Sequence, residues 1–202
     1  MSLALIRIVD DDEEMRTAVA RLLQTAGYEV RTYSSAGDFL LAPPDPTPGC
    51  IVLDLQMPGP SGLELQRALQ LQPTPLPIVF VTGHADVGST VAAMKAGAVD
   101  FLTKPAQPAD ILAAVPAATA RDAASRARHA QLERVRQAYA RLTERERAVF
   151  ARVAAGERNK AIARALGITE RTVKMHRAQV MAKMEADSAA DLVRIEQVLA
   201  RS

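Results

Sequence analysis

The chain has 202 residues, 49% of them hydrophobic but only 3% aromatic, with no Trp and a single Cys. That length and apolar content suit one large or two small domains with aliphatic cores. They exclude an internal disulfide framework and a platform of stacked aromatic rings for bases, and no apolar run approaches the ~20 residues of a membrane span. The net charge of +2 conceals a division: residues 1–117 carry 7 basic and 13 acidic side chains, a balance of −6, whereas residues 118–202 carry 18 and 10, a balance of +8. An acidic half joined to a basic half predicts two domains with different partners, the second facing a polyanion. The opening segment Met1–Ile6 is too short and too soon followed by acids to be a signal peptide, so a cytoplasmic protein is expected. Cys50, inside an apolar run, is read as a buried core thiol suited to a reducing compartment.

In chain order, strands are predicted over 4–9, 28–32, 50–53, 77–81 and 98–102. Helices are predicted over 13–26, 36–41, 62–71, 87–96 and from 108 onward. Val19, Leu22, Leu23 and Ala26 lay an apolar stripe along the first helix. Pro43-Pro44-Asp45-Pro46-Thr47-Pro48-Gly49 is a surface loop. Ser61-Gly62-Leu63-Glu64 is a capping box opening the third helix, and Asp86 and Pro108 open the fourth and fifth. This alternation predicts an α/β doubly wound five-stranded parallel sheet over 1–117. Residues 118–141, rich in Ala and Arg, form a helical linker that could continue the fifth helix, but a bend is expected near Val115-Pro116 because an interior proline kinks a helix. From Leu142 to Ser202 an all-α domain follows. Thr143-Glu144-Arg145-Glu146 caps its first helix, Asn159 caps Lys160–Leu166, Gly167 makes a tight turn, Thr169 caps Glu170–Met184, and Ser188–Asp191 starts the last helix.

Four of the predicted strands end in polar residues of related chemistry: Asp10-Asp11-Asp12, Asp54, Thr82 and Lys104-Pro105. In a parallel sheet all four ends converge at the carboxyl edge, where open α/β sheets place their sites. Clustered carboxylates repel one another unless a cation offsets them, and carboxylate and carbonyl oxygens suit Mg²⁺. Asp54 is then a candidate nucleophile for a phosphoryl group, with the Thr82 hydroxyl and the Lys104 ammonium set to contact phosphoryl oxygens. Taken singly, the acids read as an ordinary first helical turn and Thr82 or Lys104 as loop residues. Their joint order carries the argument.

With these residues in place, 4–117 resembles the receiver domains of two-component response regulators. The motifs are the acidic pair after the first strand, Asp54-Leu55-Gln56-Met57-Pro58-Gly59, Thr82-Gly83-His84 and Lys104-Pro105. The resemblance implies a flavodoxin-like receiver fold. It makes Asp10 and Asp11 the Mg²⁺ pair, Asp54 the phosphoacceptor and Gln56 a metal ligand through its main-chain carbonyl. It also makes Thr82 and Phe101 the switch residues, Lys104 the phosphate sensor, and the bond to Pro105 cis. Asp12 is better read as a helix-start residue. Two departures, Ala106 after Lys104-Pro105 and Gly88-Ser89 at the start of the fourth helix, lie near the expected signalling face.

The basic half has helix-turn-helix spacing over Asn159–Lys183. Ala163 stands where two helices cross, Gly167 in the turn and Val173 in the core between them. Arg171, Lys174, Met175 and Ala178 fall opposite Val173 and Val180 and are expected to enter a major groove. Arg177, Lys183, Arg158 and Lys160 are expected at phosphates, and His176 lies nearer the core side. The stretches Leu142–Arg147, Asn159–Ala163 and Thr172–His176 resemble LuxR-type output domains. That resemblance assigns base-facing roles to Lys174, Met175 and Ala178 and a DNA-bound dimer contact to the last helix, here Leu192, Ile195 and Leu199. An intradomain core role for those three is equally open. The two resemblances together imply a regulator of the NarL/FixJ type. It would be phosphorylated by a sensor histidine kinase with Mg²⁺ bound and would then bind double-stranded DNA as a homodimer, with RNA polymerase a further candidate partner. A non-enzyme is expected beyond the receiver's chemistry on itself. The rivals are an aspartyl-phosphate phosphatase, disfavoured because Gln56 stands where such enzymes place a second acid, and a constitutive DNA binder whose receiver only dimerises.

Overall fold

The computed structural model describes residues 4–200. The signal-peptide reading at residues 1–3 and the outermost ends of the predicted domains, 1–3 and 201–202, lie outside that span. The chain divides into two compact units, Met1–Ala127 and Arg128–Ser202, so the expected linker 118–141 is shared between them.

In the first unit, β1 (Leu5–Val9), β2 (Glu29–Tyr33), β3 (Gly49–Leu53), β4 (Ile78–Thr82) and β5 (Asp100–Thr103) form one parallel sheet in the order β2-β1-β3-β4-β5. Every residue of β1, β3 and β4 is buried, as parallel strands covered on both faces require. The connecting helices are α1 (Glu13–Thr25), α2 (Ala36–Leu41), α3 (Gly62–Gln70), α4 (Val87–Lys95) and α5 (Pro108–Ala140). The two-residue period of a strand sends alternate side chains to opposite layers. Ile6, Ile8, Val52, Val79 and Val81 meet Val19 and Leu23 of α1 and Ile111 and Val115 of α5. Val9, Ile51, Leu53 and Phe80 meet Leu65 and Leu69 of α3 and Ala93 of α4. Cys50 is wholly buried in the first layer, and burial, with the Asp122 charge added, pushes its thiol up to about 12.

Arg7 breaks the apolar pattern of β1. It is 2% exposed, and its guanidinium donates to the carbonyls of Leu5 (3.2 Å), Asp45 (3.1 Å) and Thr47 (3.0 Å). The proline-rich loop is thus pinned beneath the amino edge of the sheet. The Ser61–Glu64 capping box is formed, and a second joins Asp86 and Ser89. Asp12 caps α1 through the Glu14 and Met15 N–H groups.

A bend is expected at Val115-Pro116; α5 continues as one helix from Pro108 to Ala140 with Pro116 inside it, so the proline does not end the helix. Val115 and Ala118, both fully buried, seat the helix on either side of the proline.

The second unit holds the last turns of α5 followed by α6 (Glu144–Ala154), α7 (Asn159–Leu166), α8 (Glu170–Lys183) and α9 (Ala189–Ala200). Its core gathers Leu142, Val149, Phe150, Ile162, Val173, Val180 and Leu192. Gly167 closes α7 in the left-handed region (φ 65°), which glycine adopts without steric penalty. Asn159 is not the cap expected: Arg158 precedes the helix with no capping side-chain bond, and Asn159 Oδ1 accepts from the Arg177 guanidinium instead. Leu192 is wholly buried in its own unit, and Ile195 and Leu199 pack against the same core. No helix among the described residues is long and apolar enough to cross a membrane.

Candidate functional site

Sheet register brings the polar strand ends together. Val9 pairs with Leu53, so Asp10 and Asp54 follow at equivalent positions, and the Asp54 N–H donates to Val9 O (2.8 Å). Asp10 is 4% and Asp54 7% exposed, while Asp11 faces solvent. Each of the three offers a carboxylate oxygen within 4.8 Å of the others. The Lys104 ammonium donates to Asp10 Oδ2 (2.8 Å) and to Asp54 Oδ2 (2.9 Å). Lys104 is placed by its own N–H, which donates to Thr82 O (2.8 Å), and a cis peptide bond joins it to Pro105.

The other oxygen of Asp54 accepts from the Leu55 N–H (2.6 Å) and the Gln56 N–H (3.4 Å). Burial lifts the Asp10 carboxyl above its ordinary range, against the pull of Lys104 and the Asp12 N–H. Burial also works against the Lys104 ammonium, but the bonds to Asp10 and Asp54 outweigh it and hold Lys104 above its ordinary value. Thr82 is fully buried, and its oxygen accepts from the His84 N–H (3.2 Å); a hydroxyl that accepts still has its own hydrogen to donate. Phe101 is half-buried beside Phe80, with ring centroids 5.8 Å apart. Three buried or half-buried groups of opposite charge, opening toward an exposed third acid, are suited to an oxyanion ligand shared between a cation and an ammonium.

In the second unit Arg171, Lys174, Met175 and Ala178 are all exposed on α8, opposite the fully buried Val173 and Val180. Arg158 and Lys160, with Arg164, line a shallow depression along α7. Arg177 is half-buried and bound to Asn159 (3.1 Å). Lys183 is committed elsewhere: its ammonium meets both carboxylate oxygens of the buried Glu146 (2.8 and 2.7 Å) and the carbonyl of Arg141 (3.3 Å). Lys183 thus ties the end of α8 to the capping box of α6, a use that helical position alone does not reveal.

Residues 6–116 match the response regulator receiver domain family, and residues 140–195 match the luxR family of bacterial regulatory proteins. The chain is a response regulator of the NarL/FixJ type. It is 44% identical over 190 residues to the transcriptional regulatory protein FixJ of Rhizobium meliloti strain 1021, covering 94% of this chain and 93% of that one. It is 42% identical over 196 residues to nodulation protein W of Bradyrhizobium diazoefficiens strain USDA 110, covering 97% and 86%. Among solved structures, the response regulator StyR aligns with a TM-score of 0.86 at 40% identity over 96% of this chain and 98% of that one. Full-length FixJ from B. japonicum aligns with a TM-score of 0.60 at 38% identity over the whole of both chains. A receiver domain implies a histidine kinase partner, and a luxR-family domain implies DNA.

Within this response regulator, three residues that support the site escape sequence reading. Gly62 opens α3 so close to the loop bearing Asp54 that a Cβ there would overlap the Asp54 carbonyl and meet Phe80 Cε1 at 3.0 Å. Arg16 donates to the Asp10 carbonyl (2.7 Å), fixing the turn that bears the acids. Asn159 holds Arg177 across the helix-turn-helix. An excess of acids or bases points to none of them, because each acts through a single bond or a single missing methyl group.

Proposed function

We propose that Asp54 takes a phosphoryl group from the phosphohistidine of a sensor kinase: an Asp54 oxygen bonds to phosphorus as the phosphorus–nitrogen bond breaks, the electron pair stays on the imidazole, and the ring takes a proton from water to leave neutral histidine on the kinase. The observation that carries this reading is the Lys104 ammonium bonded at once to Asp10 (2.8 Å) and Asp54 (2.9 Å). The same cation that balances two carboxylates is placed to contact an oxygen of the incoming group. Asp10, Asp11, Asp54 and the main-chain carbonyl of Gln56 would hold Mg²⁺, and the proximity of three carboxylate oxygens fits a hard divalent cation. When bound, Mg²⁺ supplies charge compensation to phosphoryl oxygens. Thr82 donates its hydroxyl to one such oxygen, and Phe101 then repacks, altering the surface of α4 and β5.

That surface is suited to self-association: Val87 (82% exposed), Val91 (44%) and Met94 (43%) leave α4 with an apolar face. Paired receivers bring two output units to half-sites about one helical turn (~34 Å) apart or a multiple of it. Arg171, Lys174, Met175 and Ala178 face the bases, and Arg158, Lys160 and Arg177 face phosphates. Lys183 is left out of the DNA set because Glu146 occupies it. The phosphatase alternative lacks a general acid at Gln56.

Treatment of the purified chain with a small phosphodonor and Mg²⁺ is expected to label the wild type and leave Asp54→Asn unlabelled. Labelling that persists in the variant moves the acceptor elsewhere. Among DNA ligands, a promoter fragment is expected to bind with a steep inverse dependence on salt; a flat response refutes the groove-and-phosphate reading.

A further inference from the structure

We propose that Asp122 and Arg126 brace the helix leaving the receiver across Pro116, so that its outgoing direction is set by the amino end of the phosphoacceptor strand. Pro116 lies inside α5 and has no N–H to give the Leu112 carbonyl one turn earlier, which weakens the helix at that turn. The apolar seat of α5 also ends there: its buried residues are Ile111, Ala114, Val115 and Ala118, and the next is a carboxylate, Asp122. Beyond Ala118 it is hydrogen bonds that hold the helix to the receiver. Asp122 Oδ2 accepts from the Gly49 N–H (2.9 Å) and from Arg126 Nε (2.8 Å), and Arg126 Nη1 donates to the Pro46 carbonyl (2.9 Å).

Gly49 is the first residue of β3, wedged so tightly that a Cβ would overlap the Leu5 carbonyl; five residues on stands Asp54. The same strand therefore carries the phosphoacceptor at one end and the anchor of the outgoing helix at the other. Pro46 lies in the loop that Arg7 pins to the sheet, so both anchor points are themselves fixed. The compact unit accordingly runs to Ala127, past the end of the receiver match at residue 116.

Asp122 is wholly buried, its Oδ1 makes no hydrogen bond, and its counter-ion Arg126 is 26% exposed. A carboxylate placed so stabilises a core less well than an apolar side chain of the same volume. It does fix the rotation of the helix, because its partners are a backbone N–H and a guanidinium at set positions.

Hydrogen exchange of the unphosphorylated full chain tests the brace. Asp122→Ala is expected to speed exchange of the amides of 117–126 by about tenfold or more while β1 and β3 keep their protection. Asp122→Asn, whose amide oxygen accepts the same two bonds, is expected to stay within about twofold of wild type. Adding Pro116→Ala to Asp122→Ala is expected to restore protection, since the helix then recovers its missing bond. Unchanged exchange in Asp122→Ala, acceleration spreading through β1 and β3, or no rescue by Pro116→Ala each overturns the proposal.

A second measurement rests on the function proposed above. The gain in DNA affinity on adding phosphodonor is expected to fall about fivefold or more in Asp122→Ala with Asp54 labelling intact, and an undiminished gain counts against the brace as a signalling part. Were the wild type to show no gain at all, the functional reading would fail, and the exchange rates would still decide the brace.

Discussion

Replacing Lys183 with methionine removes the ammonium that lies within 2.8 Å of both oxygens of Glu146 and keeps an unbranched stem of similar reach. Glu146 is 3% exposed. Its carboxyl is held at about 2 rather than near 4.5, by Lys183 first and the Thr143 N–H second. At about 1.36 kcal/mol per pH unit, that gap corresponds to about 3.4 kcal/mol. Thr143 keeps its share in the variant, and with Lys183 36% exposed solvent screens the pair, so a loss of about 1–2 kcal/mol at pH 7 is expected in the second unit. Because the folded-state value of Glu146 is depressed, its contribution is full above about pH 4.5 and disappears as pH falls through about 2. The difference between variant and wild type should shrink to less than half by about pH 2. Urea titration followed by amide NMR signals of α6 and α8, at pH 7 and pH 2, measures both values. An equal loss at the two pH values, or none at pH 7, refutes the role given to this pair. The same variant separates the two uses of Lys183: a salt slope of DNA binding equal to wild type keeps it inside the fold, whereas a slope shallower by about 1 makes it a phosphate contact.

Glu185 sits in the left-handed region (φ 53°) between α8 and α9, so Glu185→Gly is expected to raise stability by about 0.5–1 kcal/mol in thermal melts, relief of strain exceeding the added entropy of the unfolded chain; an unchanged or lower melting temperature contradicts this. Gly62→Ala forces a methyl group against the Asp54 carbonyl and Phe80. It should cost about 1–3 kcal/mol and slow phosphodonor labelling of Asp54, and full stability with full labelling rate would show that the loop yields easily. Lys174→Ala, on the exposed face of α8, should weaken promoter binding by about 1–3 kcal/mol while barely altering binding to unrelated DNA; equal losses on both would make Lys174 a backbone contact.

The receiver was legible in the sequence because four of its five strands are short and punctuated by a residue with chemistry of its own. Asp54, Thr82 and Lys104 mark strand ends, and register alone then assembles them. Helix starts were legible for the same local reason: Ser61 with Glu64 and Thr143 with Glu146 signal through residues three apart. Asn159 misled because its side chain is claimed by Arg177, 18 residues away. Pro116 does not end the helix, because the packing of Val115 and Ala118 on either side of it holds the turn in place. Lys183 reads as a surface base on a helical wheel, and only folding sets it against Glu146. What stayed illegible was in each case a contact between distant segments, which no spacing along the chain encodes.

Cys50 turns the chain into its own strand-opening counter. The thiol is fully shielded, and at a value of about 12 it stays protonated and unreactive while β3 is seated. With no other thiol in the chain, the rate at which a maleimide modifies native protein registers how often β3 detaches. Such a titration, run with and without phosphodonor, would report whether the modification proposed for Asp54 changes how firmly its own strand is seated.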